Sequence, residues 1–135
     1  PAATAWFQGD VDQVRIFNTA LPQSAITALY NETTTTAQSA SIDYVGANPN
    51  SVAYYKMSDA SDQFGNHNGT ATNVNFNTEG KFGFAGKFNG SDSRIALGSA
   101  SSLVAENFSF SAWIRKTTNN DGFIVGTNIN PYYSK

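Results

Sequence analysis

Residues 6–18 read WFQGDVDQVRIFN, and residues 20–30 read ALPQSAITALY. Apolar and polar side chains alternate over residues 12–17, which predicts a strand with one apolar face. The second stretch predicts a short helix near residues 22–30, because proline suits a first helical turn and apolar residues recur at helical spacing. This spacing places Ile26, Leu29 and Tyr30 on one face of the helix.

Four further stretches carry β-branched, aromatic or alternating apolar residues, which predicts strands. They cover residues 52–57, 70–76, 108–116 and 123–126. The third is the clearest, because its apolar side chains alternate with polar ones and share one face, which carries Phe108, Phe110, Ala112 and Ile114. Clusters of Gly, Asn and Asp between the runs are typical of turns. The pattern predicts an all-β, antiparallel sandwich of the jelly-roll type with one short helix.

The composition excludes several classes of function. The 135 residues include 40% hydrophobic and only 13% charged residues, and the net charge is −2. A chain without a basic run does not match a phosphate backbone, so we expect no nucleic-acid partner. No apolar stretch is long enough to cross a bilayer, so we expect no membrane insertion. Cysteine is absent, which excludes a disulfide framework and a thiolate metal site.

A polar run without periodicity divides the chain. Residues 33–41 read TTTTAQSAS, a composition typical of linkers. We therefore expect a first segment at residues 1–36, a linker at 37–50 and a second structured segment at 51–135.

The first segment resembles the C-terminal end of a laminin G-like (concanavalin A-like) jelly-roll module. In that family a strand with the pattern aromatic-x-Gly-x-hydrophobic-Asp leads into a short helix, and residues 6–30 are similar to this signature over about two dozen positions. The resemblance implies structural roles for Trp6, Gly9 and Asp12.

The second structured segment resembles the N-terminal part of the same module. The similar motifs are YYKM at 54–57, DQFGNHNGT at 62–70, GKFG at 80–83, FNGSD at 88–92 and FSFSAWI at 108–114. The end of a module thus comes first, its start comes second, and its middle strands are missing. We favour strands from two tandem modules, or an incomplete sandwich, over a circular permutation, because a permuted module would still need those strands. Other copies or neighbouring modules of the same protein would then cover the apolar face of residues 108–116.

Modules of this type occur in virion structural proteins and tail fibres of bacteriophages and in bacterial surface adhesins. The resemblance implies a non-enzymatic structural or binding module of a virion, extracellular fibre or adhesin, which mediates assembly or attachment to cell-surface glycans. Its location would be extracellular or on the virion surface. The alternative is an accessory carbohydrate-binding domain of a secreted glycoside hydrolase.

Asp10 and Asp12 are a close carboxylate pair on one face of the predicted strand. A glycosidase needs two carboxylates in such proximity. The glucanases of this superfold carry a longer pattern with glutamates, however, and no glutamate lies near this pair. We therefore expect no enzyme, and we expect Asp12 to accept backbone hydrogen bonds instead.

Two further sets of residues are candidates for ligand binding. An oxygen-rich set around two turns has the residue types that Ca²⁺ prefers, although ordinary turn chemistry explains the same residues. This calcium set consists of Asp59, Asp62, Asn66, Asn68 and Asp92. Aromatic rings that can stack on sugars are Trp113, Tyr132 and Tyr133. Packing inside the fold is the other role expected for Trp113.

Overall fold

A computed structural model describes residues 6–33, 50–98, 103 and 106–126. These ranges contain seven strands and one helix. They are β1 (Gln8–Phe17), α1 (Gln23–Tyr30), β2 (Ser51–Tyr55), β3 (Thr70–Thr72), β4 (Asn75–Glu79), β5 (Phe84–Asn89), β6 (Arg94–Ala96) and β7 (Ser109–Lys116). All pairings between these strands are antiparallel. The prediction of an all-β, antiparallel fold with one short helix is confirmed.

Strand β1 lies at the centre of a five-stranded sheet. Along one edge it pairs with β7 from Gly9 to Phe17. Along the other edge it pairs first with β5 and then with β2, and β4 extends the sheet beyond β5. Between these two partners Gln13 has a φ of 52°, and the register with β7 shifts. Such a bulge bends a strand and increases its twist, so one edge of β1 can serve two neighbours in succession.

Strands β3 and β6 form a separate, two-stranded sheet. Ile95 in β6 and Leu97 just after it pack against the hydrophobic core. The buried members of that core are Phe7, Val11, Ile16, Ala53, Tyr55, Met57 and Leu103. Burial of each large apolar side chain contributes about 1.5–3 kcal/mol. Residues of both sheets thus contribute to one hydrophobic core, which is consistent with a sandwich-like fold.

Two of the predicted strands are wrong in their extent. Residues 70–76 form parts of two strands that lie in different sheets, and Asn73, with a φ of 51°, separates them. Of the predicted strand at residues 123–126, Phe123 alone makes a bridge, and its partner is Trp6. Strands β5 and β6 were not predicted from the pattern, because β5 is interrupted by Gly86 and β6 has three residues.

Helix α1 is confirmed. Its N-cap is Pro22, and Asn31 ends it. The helix buries Ala25 and Leu29, whereas Ile26 and Tyr30 are 48% and 69% exposed. Ala25 and Leu29 are one helical turn apart, so the contact face is centred on a small residue. Within the described ranges, no helix has the length and apolar character needed to cross a membrane.

Strands from the first segment and from the second structured segment join in one sheet, because β1 pairs with β2, β5 and β7. Phe110 and Ala112 are partly buried against the chain's own core, and their further cover by another copy stays a prediction. Phe108 and Ile114 remain 53% and 44% exposed, and their cover stays a prediction. Of the predicted linker, Asn50 alone belongs to the described residues, and the assignment of the segments to modules stays a prediction.

Candidate ligand-binding site

The face of the main sheet that is turned away from the core carries polar side chains from β1. The register pairs Asp10 with Arg115 and Asp12 with Trp113. The intervening residue, Val11, belongs to the core. Since side chains alternate between the two faces of a strand, these four side chains lie together on the opposite face.

Both carboxylates of this face are buried, Asp10 being 5% and Asp12 being 2% exposed. One oxygen of Asp10, Oδ2, accepts a hydrogen bond from Nε of Arg115 at 2.8 Å. In Asp12, Oδ2 accepts a hydrogen bond from the backbone N–H of Phe82, also at 2.8 Å. This is the type of contact expected for Asp12 from the sequence. The Oδ1 atoms of both residues are buried as well.

The turn between β4 and β5 closes over Asp12. Burial raises the pKa of Asp12 above its ordinary value of 3.8, although the backbone N–H of Phe82 and contacts with Gln13 act in the opposite direction. Gly80 lies so close that a Cβ atom there would be 2.6 Å from Oδ2 of Asp12. The absence of a side chain at Gly80 therefore allows the turn to cover the carboxylate.

Two depressions meet at Trp113. The first, which we call the carboxylate cleft, has a volume of about 280 Å³ and lies between β1, β7 and the β4–β5 turn. Its polar lining consists of Asp10, Asp12, Glu79, Lys81 and Arg115. The second, which we call the helix groove, has a volume of about 480 Å³ and runs between α1 and β7. Trp113 lines both, so the two depressions are adjacent.

The indole of Trp113 is surrounded by three side chains. The ring of Tyr30, at the end of α1, lies 5.7 Å from it between centroids, with the ring planes tilted by 32°. Phe82 meets it edge-on, with 6.1 Å between the centroids. The ammonium group of Lys81 lies 4.8 Å from the centre of the indole. Trp113 is half-buried, so it combines a packing role with a partly accessible surface.

A buried polar network ties α1 to the same face of the sheet. The guanidinium of Arg15 donates two hydrogen bonds to the carboxylate of Glu32, at 3.0 and 2.8 Å, just beyond the end of the helix. Arg15 also lies 4.4 Å from the centre of the Tyr54 ring. The Tyr54 hydroxyl donates to the side-chain oxygen of Gln13, and burial raises the pKa of Tyr54 to about 12. The network fixes the helix, and with it Tyr30, beside Trp113.

Two members of the calcium set, Asn66 and Asn68, contact a third member, Asp62, which is buried. Its two carboxylate oxygens accept four backbone hydrogen bonds at 2.9–3.2 Å, from the N–H groups of Tyr54, Phe64, Asn66 and His67. Its own N–H donates to Oδ1 of Asn68 at 3.0 Å. The carboxylate of Asp62 therefore organises the turn and fastens it to β2.

The other two members of the calcium set have separate partners. Oδ1 of Asp59 accepts a hydrogen bond from the N–H of Ser61. Asp92 accepts hydrogen bonds from the side-chain amides of Asn89 and Asn73, both at 2.6 Å, and these bonds lower its pKa. Among the described residues, no group of three or more His, Asp or Glu side chains could hold a metal ion. Calcium binding stays a prediction.

Trp6 and Gly9 stand where β1 meets its neighbours. Trp6 forms a parallel bridge with Phe123. Gly9 has a φ of 155° and leaves no space for a side chain, because a Cβ atom there would meet the carbonyl of Arg115 and, at 2.8 Å, the ring of Phe7. Gly9 thus permits the close pairing of β1 with β7.

Three residues of the site were missed by the sequence analysis: Tyr30, Lys81 and Arg115. Alternation along the two strands could have placed Arg115 beside Asp10, but only with the register between β1 and β7 known. Of the predicted stacking residues, Trp113 lies in the site, whereas Tyr132 and Tyr133 fall outside the described residues.

No protein-family model, curated protein or solved structure matches this chain. The likeness to laminin G-like modules therefore rests on the sequence motifs. A fold by itself does not define a function, so the function has to be argued from the site.

Proposed function

We propose that the chain is a non-enzymatic binding module of a virion, extracellular fibre or adhesin, and that it attaches to glycans through the helix groove and Trp113. The observation that carries this proposal is the half-buried indole at the junction of a groove and a polar cleft. Aromatic rings offer an apolar surface to the C–H face of a sugar, and nearby polar groups bind its hydroxyls.

The lining of the helix groove supports this choice of ligand. Tyr30 and Trp113 form an aromatic corner at one end, and Ser111 of β7 supplies a hydroxyl. Lys81 covers part of the indole, but an exposed cation–π contact contributes only about 0.5–1 kcal/mol. A sugar ring can therefore displace Lys81 at a small cost in free energy.

Glycan binding is tested with an array probed by a multivalent form of the chain, because repeated weak contacts add through avidity. Isothermal titration with the best ligand then compares the native chain with Trp113→Ala and Tyr30→Ala. We expect a loss of affinity of about tenfold or more, which corresponds to 1.4 kcal/mol. The matched control is Phe123→Ala, which removes an exposed ring that lines neither depression.

Unchanged affinity in both groove variants, or no glycan bound at all, would contradict the proposal. Chromatography of the bound glycan after prolonged incubation tests the non-enzymatic part, and release of a shorter sugar would overturn it. An accessory domain of a secreted hydrolase would use the same groove. It would differ in having a catalytic domain elsewhere in its parent protein.

A further inference from the structure

Strand β7 forms an edge of the five-stranded sheet. It pairs with β1 along one side, and within the described part of the chain no strand pairs with its other side. With eight residues it is the longest edge strand of this sheet, since β2 and β4 have five residues each. An unpaired edge presents backbone N–H and C=O groups to other chains, and native proteins often protect it with charges or proline. Residues 107–114 contain neither.

The hydrogen bonds to β1 show which backbone groups of β7 point to the open edge. The N–H of Thr117, just after β7, donates to the carbonyl of Gln8 in β1. Because the backbone groups of successive residues point to opposite sides of a strand, the odd-numbered residues of β7 face β1. The bulge inserts its extra residue in β1, so the alternation along β7 is regular. The even-numbered residues, from Phe110 to Lys116, therefore present their N–H and C=O groups to the open edge.

Two large apolar side chains lie at the two ends of this edge. Phe108, just before β7, and Ile114 are exposed, whereas Phe110 and Ala112 between them are partly buried against the core. All four lie on the same face of the strand, because side chains alternate between its two faces. A further strand beside β7 would therefore cover Phe108 and Ile114 and supply partners for the open backbone groups.

The sequence of β7 is complementary to itself in the antiparallel direction. If a second copy pairs with β7 around a two-fold axis at Ser111, Phe108 of each copy lies opposite Ile114 of the other. Lys116 of each copy then lies opposite Glu106 of the other, so opposite charges meet at both ends. A two-fold axis at Ala112 would instead place Lys116 opposite Phe108. An exposed ion pair adds little affinity, so these charges select the register rather than the strength of pairing.

We infer that two copies of the chain associate by antiparallel pairing of β7 with β7, centred on Ser111, which joins their five-stranded sheets into one. Each contact occurs twice, as in other two-fold interfaces. The partner strand lies in the plane of the sheet, whereas Trp113 is on its outer face. Both Trp113 side chains then lie on the same face of the joined sheet, which would give the dimer two stacking surfaces for a glycan and a gain in avidity.

Sedimentation equilibrium of the full chain tests the association. At micromolar concentration we expect a mass of about twice 14.5 kDa. Ala112→Pro removes an N–H that points to the open edge and leaves the bonds to β1 intact, so the dissociation constant of the dimer should rise about tenfold or more. Ile114→Lys puts a charge on the edge and should have the same effect. The matched control is Phe84→Lys, which places the same charge at an exposed apolar residue of β5 and should not change the dissociation constant.

Cysteine cross-linking tests the register, because the chain contains no cysteine of its own. In the inferred register Ser111 faces its counterpart as a non-hydrogen-bonded pair, with Cα atoms roughly 4.5 Å apart, which is within the range of a disulfide. We therefore expect Ser111→Cys to form a covalent dimer under mild oxidation. Thr117→Cys is the control, because Thr117 is exposed but lies six residues from the axis, too far from its counterpart to cross-link.

Three results would overturn the inference: a native chain that stays monomeric at high micromolar concentration, a dimer that both Ala112→Pro and Ile114→Lys leave unchanged, or equal cross-linking of the two cysteine variants. Circular dichroism of each variant establishes that it is folded, and the mass of the native chain gives a result even where a variant is not. A monomeric chain that binds glycans would leave the proposed function standing.

Discussion

The ion pair between Arg15 and Glu32 gives the sharpest prediction on stability, because both side chains are almost completely buried. Their exposed fractions are 3% and 2%, and the contact is bidentate. Arg15 belongs to the central strand and Glu32 follows the end of α1. The pair is therefore a direct link between the helix and the sheet.

Replacement of Glu32 by alanine leaves the charge of Arg15 buried. Removal of one partner from a buried ion pair costs about 3–5 kcal/mol, whereas a whole domain is stable by only about 5–15 kcal/mol. For a chain of 135 residues this loss lowers the melting temperature on the order of 10–20 °C. Urea titration followed by circular dichroism measures the free energy of unfolding, and calorimetry measures the melting temperature.

Two controls distinguish burial of the charge from other effects. The double variant Arg15→Met/Glu32→Leu removes both charges, so we expect most of the stability to return. Glu106→Ala removes an exposed carboxylate and should change stability by no more than about 0.5 kcal/mol. If Glu32→Ala is as stable as Glu106→Ala, the ion pair is not what holds α1 against the sheet.

Three further predictions concern the buried polar groups. Gly80→Ala places a Cβ atom 2.6 Å from Oδ2 of Asp12, so we expect the free energy of unfolding, measured by urea titration, to fall by about 1–3 kcal/mol. Gly126 has open space around it, so Gly126→Ala is the control and should leave the free energy of unfolding unchanged. Burial raises the pKa of Asp12 above 3.8, so protonated Asp12 stabilises the fold fully below that pH, and this stabilisation is lost as the pH rises through the folded-state pKa. Urea denaturation at several pH values measures this pH dependence of the free energy of unfolding, and we expect it to be absent in Asp12→Asn. Burial raises the pKa of Tyr54 and Tyr55 to about 12. Absorbance of the tyrosinate form should therefore show that two of the six tyrosines stay protonated until about pH 12, and the free energy of unfolding should fall between pH 10 and 12. Ionisation of all six tyrosines near pH 10 in the folded chain would contradict this.

Local sequence patterns predicted those elements whose signal is long enough to be periodic. β1, β7 and α1 each have eight residues or more, and their existence follows from alternation or from helical spacing. The prediction of one strand over residues 70–76 was wrong, because alternation does not reveal that Asn73 adopts a left-handed conformation. The chain passes from one sheet to the other at that residue.

Only part of the candidate site could be predicted from the sequence. A spacing of two puts Asp10 and Asp12 on one face, and this was recognised. The contribution of Trp113 and Arg115 to the same face depends on the register of β7 with β1, which is set by the bulge at Gln13 and by the core on the other face. No local pattern encodes a register between strands about 100 residues apart.

The polar side chains of β1 carry a further argument about what this strand is for. Asp12, Gln13 and Arg15 are each no more than 2% exposed, although they lie in the central strand of the sheet. Burial of polar groups lowers stability unless partners replace the lost water, and a well-packed apolar residue would often serve stability as well or better. Contacts with Phe82, Tyr54 and Glu32 offset much of this cost. These contacts join the central strand to the β4–β5 turn, to β2 and to the residue that follows α1, so the polar residues of β1 hold these three elements against the sheet.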